Sequence, residues 1–449
     1  MATTTYLTSN FGSGTDDGVG QKSTHSVWIK RTDADNRSTI ISGSNSTGNY
    51  MKVRFGDNDR LQIYGAHSGS VNCNVETKAE FRDISGWYHV VLQIDTSNST
   101  ASERIKWYVN GELQELNTAT YPSAGSPNYL VISDDLEIGR NALDDNEHFD
   151  GTMSHFNATY GTVYAPTAFG ETDATTGEWK IKTSPSVTYG TYGFFILKDG
   201  NSVTDQSGEG NNFTVGGGTL TKTEDNPSNV FATLNPLDID TALSYTFAKG
   251  NTDVTIAESG GEGMSKATLG VSSGKYYFEC KLVSSSVHGR FGVVSTATPS
   301  TVNPSEFGIA WQMNDATMQL VNSSVSGSWG SNPSNNDILM FALDCDNQAF
   351  YFGVNGTWRN SGNPTSGASR TGGVNYSGQS TLTSDFLTVG FGGNFFGGGG
   401  VQQGQYNFGN GYFGTTAVSS AGTNASGIGI FEYDVPTGYT ALSTKGLNL

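Results

Sequence analysis

The segment Asp337–Trp358 constrains the fold most, because it carries two strands and the turns that join them. Residues 338–343 are apolar on both alternating faces, as in a central strand that is covered on both sides. Apolar and aromatic residues continue over 350–354, and Asn355 and Gly356 then tolerate the positive φ of a tight turn. The segment therefore predicts a β-hairpin whose first strand is buried.

The same pattern occurs earlier, over residues 86–111. Residues 90–94 and 105–109 alternate between apolar and other side chains, a polar turn separates them, and Asn110 and Gly111 end the second strand. Two such hairpins in different halves of the chain predict two β-sandwich domains of related architecture.

The composition agrees with short strands joined by many turns. The chain has 449 residues, which allows two or three domains, and 59 of them are glycine. Ser, Thr and Asn are plentiful, whereas the Lys and Glu that long helices need are sparse. With 24 Phe and 20 Tyr the chain is too rich in apolar side chains for disorder. We therefore expect an all-β protein.

The net charge of −18 argues against two classes of partner. Nucleic acids and anionic membranes attract basic surfaces, and the 24 basic residues here are outnumbered by 42 acidic ones. The chain has no long apolar stretch for membrane insertion, and MATTTYLTSN lacks the pattern of a signal peptide. If the protein acts outside cells, we expect it to arrive by lysis or by assembly into a particle.

The three cysteines, Cys73, Cys280 and Cys345, do not make a disulfide framework. Cys280 alternates with aromatic and apolar residues on a predicted strand, which indicates a buried thiol. No CxxC or Cys/His spacing indicates zinc.

Residues 21–163 carry a series of motifs in a characteristic order. These are VWIK, GWYHVVLQID, IKWYVNGE, LEIGRN and DGTMSHF. They resemble the laminin-G and concanavalin A-like sandwiches of phage and bacterial surface proteins. The resemblance implies a jelly-roll sandwich over 21–163, preceded by an N-terminal arm at residues 1–20.

Residues 164–240 are less regular and are interpreted as a connector packed on the sandwiches. The runs FGETDATTGEWK, DQSGEGNNF and NVFATLNPLD resemble those of marine bacteriophage structural proteins. That resemblance implies a virion protein but identifies no chemistry.

Residues 241–449 resemble a SPRY-type sandwich. The segments that carry this resemblance are GKYYFECKL, GRFGVV, FGIAW, NNDILMFALDCDNQAFYFGVNGTW, FLTVGFGG and NFGN, in the order that the family uses. The ending FEYDVPTGYTALSTKGLN resembles the tail of SPRY-like domains in phage fibre proteins.

Catalysis is not expected. A glycosidase on a concanavalin-type sandwich needs paired carboxylates, which in the relevant families follow an E-x-D-x-E pattern. The nearest pair is Asp135 and Glu137, for which a solvated outer face is the simple explanation. No GxSxG or HExxH motif is present. The sequence predicts a protein that is not an enzyme.

Two loops have the oxygen-rich composition of a calcium site. One is Asp144, Asp145, Asn146 and Glu147, and the other is Asp57-Asn58-Asp59. Asp and Asn are also ordinary turn residues. No cofactor is predicted, with Ca²⁺ at Asp144–Glu147 kept as the one alternative.

Five residues are candidates for ligand binding, because sandwich lectins place aromatic rings and polar side chains on loops. Trp329 lies in a polar segment, and Trp358 and Arg359 follow the Asn-Gly turn. Phe395 and Phe396 lie at the tip of a glycine-rich loop. A tryptophan in a loop can equally be a lid over the core.

Together these observations predict a non-enzymatic bacteriophage virion protein on the particle exterior. We expect a tail fibre or receptor-binding adhesin whose loops recognise host-surface glycan or protein. Its partners would be other virion proteins and further copies of itself, with a trimer expected. Two alternatives remain: a capsid or tail decoration protein without a host ligand, and a polysaccharide-degrading enzyme.

Overall fold

The computed structural model describes residues 4–10, 20–32, 34, 36–131, 134–198, 202–257, 260–285, 288–394 and 400–448. The chain folds into two compact units. The first unit comprises Met1–Lys222 and Asn226–Ser228, and the second comprises Thr223–Asp225 and Asn229–Leu449.

The first unit is built from sixteen strands among its described residues. In chain order they are β1 (Tyr6–Ser9), β2 (Lys22–Arg31), β3 (Ser38–Ser46), β4 (Asn49–Phe55), β5 (Leu61–His67), β6 (Ser70–Thr77), β7 (Tyr88–Asp95), β8 (Ile105–Val109), β9 (Glu112–Leu113), β10 (Leu116–Thr120), β11 (Asp135–Ile138), β12 (Gly151–Tyr160), β13 (Gly170–Thr172), β14 (Trp179–Ile181), β15 (Phe194–Ile196) and β16 (Thr214–Gly217). They form an eight-stranded sheet (β10-β6-β5-β4-β3-β11-β1-β16), a six-stranded sheet (β15-β12-β2-β7-β8-β9) and the small pair β13-β14.

The core of the first unit lies between its two large sheets. Alternate residues such as Val53 and Ile63 of the eight-stranded sheet pack in one cluster with Leu92 and Trp107 of the six-stranded sheet. The two-residue period of a strand places the remaining side chains of each strand on the outer faces.

The second unit contains a further eighteen strands and two short α-helices among its described residues. In chain order they are β17 (Leu234–Ile239), β18 (Ser244–Ala248), β19 (Asp253–Ala257), β20 (Glu262–Ala267), β21 (Lys275–Ser284), β22 (Gly289–Ser295), α1 (Pro304–Phe307), β23 (Gly308–Gln312), β24 (Thr317–Leu320), β25 (Ser323–Ser324), β26 (Ile338–Asp344), β27 (Ala349–Val354), β28 (Thr357–Trp358), β29 (Val374–Asn375), α2 (Ser380–Thr383), β30 (Leu387–Asn394), β31 (Val401–Asn407), β32 (Tyr412–Phe413), β33 (Thr416–Ala417) and β34 (Thr440–Ala441). Single 3₁₀ turns occur across the two units at Ala101–Glu103, Pro166–Ala168, Arg359–Ser361, Pro364–Ser369 and Gly446–Asn448.

The second unit is also a two-sheet sandwich. One sheet has the order β17-β20-β30-β22-β23-β24-β25; the other runs β18-β19-β31-β21-β26-β27-β28, with β29 on β27 and β34 on β21. Trp311 of the first sheet stacks on Phe352 of the second, with ring centroids 5.1 Å apart. The all-β prediction with two sandwiches is therefore confirmed.

Both predicted hairpins are present. The strand β26 is buried along almost its whole length, as its two apolar faces predict. Asn110 and Gly111 have φ of 49° and 84°, and Asn355 and Gly356 have φ of 49° and 79°. Each Asn-Gly turn leads directly into a third, two-residue strand, β9 or β28.

The segment interpreted as a connector contributes strands to the first unit. Phe194–Ile196 (β15) pairs with β12 at the edge of the six-stranded sheet, and Thr214–Gly217 (β16) pairs with β1 at the edge of the eight-stranded sheet. The structure therefore divides the chain near residue 222, because these strands complete sheets that begin more than 140 residues earlier.

The same segment covers the outer face of the six-stranded sheet. Residues 164–192, which we call the first cover segment, place Trp179 against His89 of β7 and Tyr189 against Phe195 of β15. The backbone of Tyr164 exchanges hydrogen bonds with Gln93 and Thr24 side chains. As a result His89 is fully buried although it lies outside the sandwich core.

Two smaller expectations have definite outcomes. Cys280 is a buried thiol, as the sequence predicts, and Cys73 and Cys345 are buried free thiols as well. Within the described ranges, no helix has the length and apolar character needed to cross a membrane.

Candidate functional site

A continuous polar row crosses all eight strands of the larger sheet in the first unit. Its members are cross-strand partners, in the order Thr214, Thr8, Glu137, Ser42, Lys52, Tyr64, Asn74 and Thr120. Their sequence neighbours Leu7, Ile41, Val53 and Ile63 lie in the core, so the row lies on the outer face. We call this surface, with Tyr50, Arg54 and Gln62 beside the row, the polar face.

Two tyrosine rings give the polar face its aromatic part. Tyr50 and Tyr64 are half-buried, and their ring centroids are 6.3 Å apart at a tilt of 33°. The Arg54 guanidinium carbon lies 5.7 Å from the centroid of Tyr64. Burial, with the neighbouring Tyr64, raises the pKa of Tyr50. Half-exposed rings held in this way can stack on the apolar face of a sugar.

A chain of hydrogen bonds fixes the polar groups beside the rings. Arg54 Nε donates to Gln62 Oε1 over 2.9 Å, and Gln62 Nε2 donates to Asn74 Oδ1 over 2.9 Å. These bonds orient the amides before any ligand arrives, which reduces the entropy that binding must overcome.

Glu147 completes this network from a neighbouring loop. Its carboxylate accepts from Arg54 Nη1 at 2.5 Å, from Lys52 Nζ at 3.3 Å and from Thr39 Oγ1 at 3.2 Å. Burial opposes ionisation, but Arg54 and Lys52 outweigh it and lower the pKa of Glu147. Glu147 therefore positions the two cations of the polar face.

The loop predicted to bind calcium is occupied by such contacts. Asp145 pairs with Arg140 at 3.0 Å, and one amide, Nδ2 of Asn141, donates to both Asp144 and Asn146. In the part of the chain that the structure describes, no group of three or more His, Cys, Asp or Glu side chains is arranged to hold a metal. Calcium at Asp144–Glu147 stays a prediction, and it requires these contacts to rearrange.

The other acidic loop is structural. Asp59 is fully buried and pairs with Arg31 at 2.8 Å and with Arg82 at 2.9 Å. Asp57 pairs with Arg37 at 3.1 Å.

The acid pair on β11 differs from the expected solvated face. Glu137 is only 2% exposed, because Arg140 binds both of its carboxylate oxygens and itself stacks 3.6 Å above the ring of Tyr6. Asp135 is partly buried, and burial followed by the charge of Glu137 raises its pKa. The expectation of a solvated face is wrong for Glu137, since Arg140, held by the Tyr6 ring of the neighbouring strand β1, binds its carboxylate.

Three of the predicted ligand residues meet in the second unit. Arg359 Nη1 donates to the carbonyl of Trp329 over 3.0 Å, and Trp358 packs edge-on against Tyr277 and Tyr351. Trp329 is 4% exposed, and its Nε1 donates to Val325 O over 2.9 Å. The lid interpretation thus describes Trp329, which presents little ring surface to a ligand. Phe395 and Phe396 lie outside the described residues.

The polar face was not singled out from the sequence, although a signal for it exists. NYMKVRF, LQIYGAH and SVNCNVET each alternate polar and apolar residues. Aligning these three consecutive strands in register would have placed Lys52, Tyr64 and Asn74 in one row.

The first part of the chain matches a known protein family. Residues 2–161, about a third of the protein, match the model of the concanavalin A-like lectin/glucanases superfamily. No curated protein matches the chain.

Several solved structures are similar to parts of this chain at low identity. The SPRY domain of human HERC1 is 14% identical, over 38% of this chain and 96% of that domain, with a TM-score of 0.27. A heptameric SAP-like pentraxin from Limulus polyphemus is 16% identical over 36% and 78% of the two chains, with a TM-score of 0.25. The CBM40 of a Ruminococcus gnavus sialidase, bound to α2,3-sialyllactose, is 12% identical over 37% and 92%, with a TM-score of 0.27.

The family match and the two-sheet architecture of the first unit agree with each other. The first unit is thus a two-sheet β-sandwich, and residues 2–161 within it match a concanavalin A-like family.

Proposed function

We propose that the protein is a non-enzymatic, glycan-binding adhesin whose binding surface is the polar face of the first unit. The observation that carries this proposal is the pair of half-exposed rings, Tyr50 and Tyr64, beside the hydrogen-bonded series Arg54, Gln62 and Asn74. Carbohydrate sites combine an aromatic platform with a few fixed polar groups in this way.

The geometry supports a division of roles within the polar face. The Tyr64 ring would stack under one sugar, while the Asn74 amide, its cross-strand neighbour, bonds to a hydroxyl. Lys52 and Arg54 are already bonded to Glu147, whose carboxylate offsets one of their two positive charges and holds both side chains in place.

The carboxylates near the polar face support binding without catalysis. Arg54 and Lys52 lower the pKa of Glu147 and keep it ionised, and Glu137 is paired with Arg140. A glycosidase needs one protonated carboxyl as its general acid.

The proposed setting is the exterior of a bacteriophage particle, as part of a tail fibre or receptor-binding tip. It is supported by the resemblance of residues 164–240 to phage structural proteins. Many copies on one particle, with a trimer as the expected unit, would convert weak glycan contacts into avidity. Other virion proteins and a host-surface glycan are the proposed partners.

A glycan array probed with the full chain tests this function. The change Tyr64→Ala should weaken binding to any retained glycan about tenfold, because it removes the stacking platform. Tyr108→Ala is the matched control, since Tyr108 is a similarly half-buried strand tyrosine on the other sheet. Equal binding by wild type and Tyr64→Ala, with both folded, would contradict the proposed site.

The same array, with two added measurements, tests whether the first unit binds calcium or is an enzyme. We expect binding to persist in EDTA, because Glu147 is held by Lys52 and Arg54. Loss of binding in EDTA would reassign Asp144–Glu147 as a calcium site. Release of reducing ends from a bound polysaccharide would show an enzyme.

A further inference from the structure

A cavity of about 370 Å³ opens on the second unit, beside α1. Its walls come from the outer face of the sheet that contains β22 and β23, and from α1 and the residues around it. The lining residues are His288, Arg290, Asn303, Ser305, Glu306, Gln312, Asn314 and Asn322. This volume accommodates a ligand of monosaccharide size.

Arg290 is the unusual member of this set. It lies on β22 opposite Gln312, next to the core residue Phe291, and is only 5% exposed. One guanidinium nitrogen donates to the Gly289 carbonyl over 2.9 Å, while Nε is buried without a hydrogen-bond partner among the described residues.

The charge of Arg290 is also uncompensated by direct contact. Over the ranges that the structure describes, no ion pair within 4.0 Å forms at Arg290. This is notable in a chain with 42 acidic and 24 basic residues. A buried cation without an anion at hydrogen-bond distance is costly, because its desolvation is not offset.

The remaining walls are rich in neutral hydrogen-bonding groups. Gln312, Asn314 and Asn322 bring side-chain amides, and Asn314 and Asn322 are exposed at the rim. Asn303 is already engaged, since its Nδ2 donates to Glu262 and its Oδ1 accepts from Ser305 N. Glu306 is the one acidic residue of the lining and is partly solvated.

We propose that this cavity binds the carboxylate of a small sugar acid, with the Arg290 guanidinium as its ionic partner and the rim amides as partners of its hydroxyls. A carboxylate, like a phosphate, can accept two parallel hydrogen bonds from a guanidinium, and a sugar acid of monosaccharide size supplies one. The site lies in the second unit and is independent of the polar face, so the inference goes beyond the proposed function.

Electrostatics support an anion over a neutral sugar. Burial lowers the pKa of Arg290 to about 10, and the acidic residues Asp315 and Glu306 offset this only in part. A ligand carboxylate would offset the rest of the desolvation cost of the Arg290 charge. Glu306 opposes such a ligand, but it is better exposed to solvent and its repulsion is screened.

Calorimetric titration of the full chain with glucuronate, and separately with glucose, tests this inference. Glucuronate should bind at least tenfold more tightly than glucose at pH 7, because only glucuronate supplies the carboxylate. Equal affinity for the two sugars, or no binding of glucuronate, would overturn the proposal.

Variants locate the site and keep the test independent of folding. Arg290→Gln should lower the affinity for glucuronate about tenfold or more. Since a buried change can disturb the fold, Glu306→Gln provides a second measurement: removing the like charge should tighten glucuronate binding about threefold.

Two control variants separate this site from the others. Arg359→Gln, at the other candidate site of the same unit, and Tyr64→Ala, on the polar face, should leave glucuronate binding unchanged. The assignment would be overturned if Arg359→Gln lost glucuronate binding while Arg290→Gln retained it. Weaker glucuronate binding by Glu306→Gln would also overturn it. Failure of the glycan array would leave these expectations intact, because the two sites share no residue.

Discussion

The Asn-Gly hairpins of the two units share one local design. In the first, His89 N donates to Asn110 Oδ1 over 2.8 Å and Asn110 N donates back to His89 O over 2.9 Å. In the second, Ile338 and Asn355 make the same two bonds at the same distances. The two pairs of bonds match in length, which shows that these turn residues specify equal geometry in unrelated surroundings.

Each turn glycine also lies under an aromatic ring from a later part of the chain. A Cβ on Gly111 would come within 2.7 Å of the Trp179 ring, and one on Gly356 within 3.0 Å of the Tyr433 ring. Trp179 belongs to the first cover segment. Tyr433 belongs to residues 419–441, which we call the second cover segment.

The two cover segments are held by opposite chemistry. Trp179 Nε1 donates to His89 Nδ1 over 2.9 Å, so the buried imidazole is neutral and its other nitrogen bonds to Ser26 Oγ. The second cover segment is held by the buried carboxyl of Glu279, which accepts the backbone N–H groups of Glu432 and Tyr433, each at 2.9 Å. Equal turns can therefore support units that respond differently to acid.

The largest expected effect is an opposite response of the two units between pH 7 and pH 5. Burial lowers the pKa of His89 to about 3 and that of His25 to about 4. The folded first unit then binds fewer protons than the unfolded chain, so its stability falls as pH drops below about 6.5. The loss is about 2 kcal/mol per histidine.

Glu279 makes the stability of the second unit change with pH in the opposite direction over the same range. Burial raises its pKa to about 7, although its hydrogen-bond donors act against this. The folded state then binds more protons between pH 4.5 and 7, so Glu279 contributes about 2 kcal/mol more stability at pH 5 than at pH 7. Hydrogen exchange of the full chain resolves each unit, and His89→Gln should remove about half of the acid loss in the first, because His25 remains. Parallel slopes in both units would break the comparison.

The next largest expected effect is a difference in the stability that each unit loses when its covering ring is removed. Trp179→Ala should cost the first unit about 3 kcal/mol, because the ring stacks on His89 and satisfies its Nδ1. Tyr433→Ala should cost the second about 1 kcal/mol, since the backbone bonds to Glu279 remain. Denaturant titration with hydrogen-exchange readout measures both. Trp179→Phe keeps a ring and loses the N–H, so its stability should lie between those of the wild type and Trp179→Ala. An equal cost for Trp179→Ala and Tyr433→Ala would contradict the difference between the two units.

The turn glycines sharpen the comparison at a smaller scale. Gly111→Ala should cost about 2 kcal/mol and Gly356→Ala about 1 kcal/mol, because both have positive φ but only Gly111 lies against a ring within 2.7 Å. Thermal unfolding of each variant gives the order. Adding Trp179→Ala to Gly111→Ala should recover part of the cost, and additive costs would contradict steric contact as the cause.

The smallest effect should be equal in the two units. Asn110→Ala and Asn355→Ala should each cost about 1 kcal/mol, because each loses one side-chain acceptor for a backbone N–H. The Asn→Asp changes retain that acceptor and should cost less. Costs that differ by more than about 1 kcal/mol would show that the surroundings, and not the turn, set the strength of these bonds.

The hairpins were predictable from sequence because their signals are local. Alternation over 338–354 and the Asn-Gly turns identify strand, turn and buried face within about twenty residues. The pairings of β15 and β16 were not predictable, since each is three or four residues long and joins strands far away in the chain. The sequence alone therefore predicts a connector over residues 164–240.

The candidate sites depend even more on pairing. Lys52, Tyr64 and Asn74 form a row only once the register of three strands is known. Arg290 looks like an ordinary strand residue until α1 is seen to pack beside it. The polar neighbours of Trp329 predict an exposed ring, yet tertiary packing buries it.

The position of β1 between β11 and β16 determines when the eight-stranded sheet can be completed during synthesis. Tyr6–Ser9 leaves the ribosome well before β16, which ends only at Gly217. At roughly 5 to 20 residues per second, about 10 to 40 s separate the two. During that interval β11 can already pair with one side of β1, while the other side stays an open edge. The polar face is thus the last part of the first unit to be completed, and an uncovered strand edge makes this the period in which the nascent chain most needs protection from aggregation.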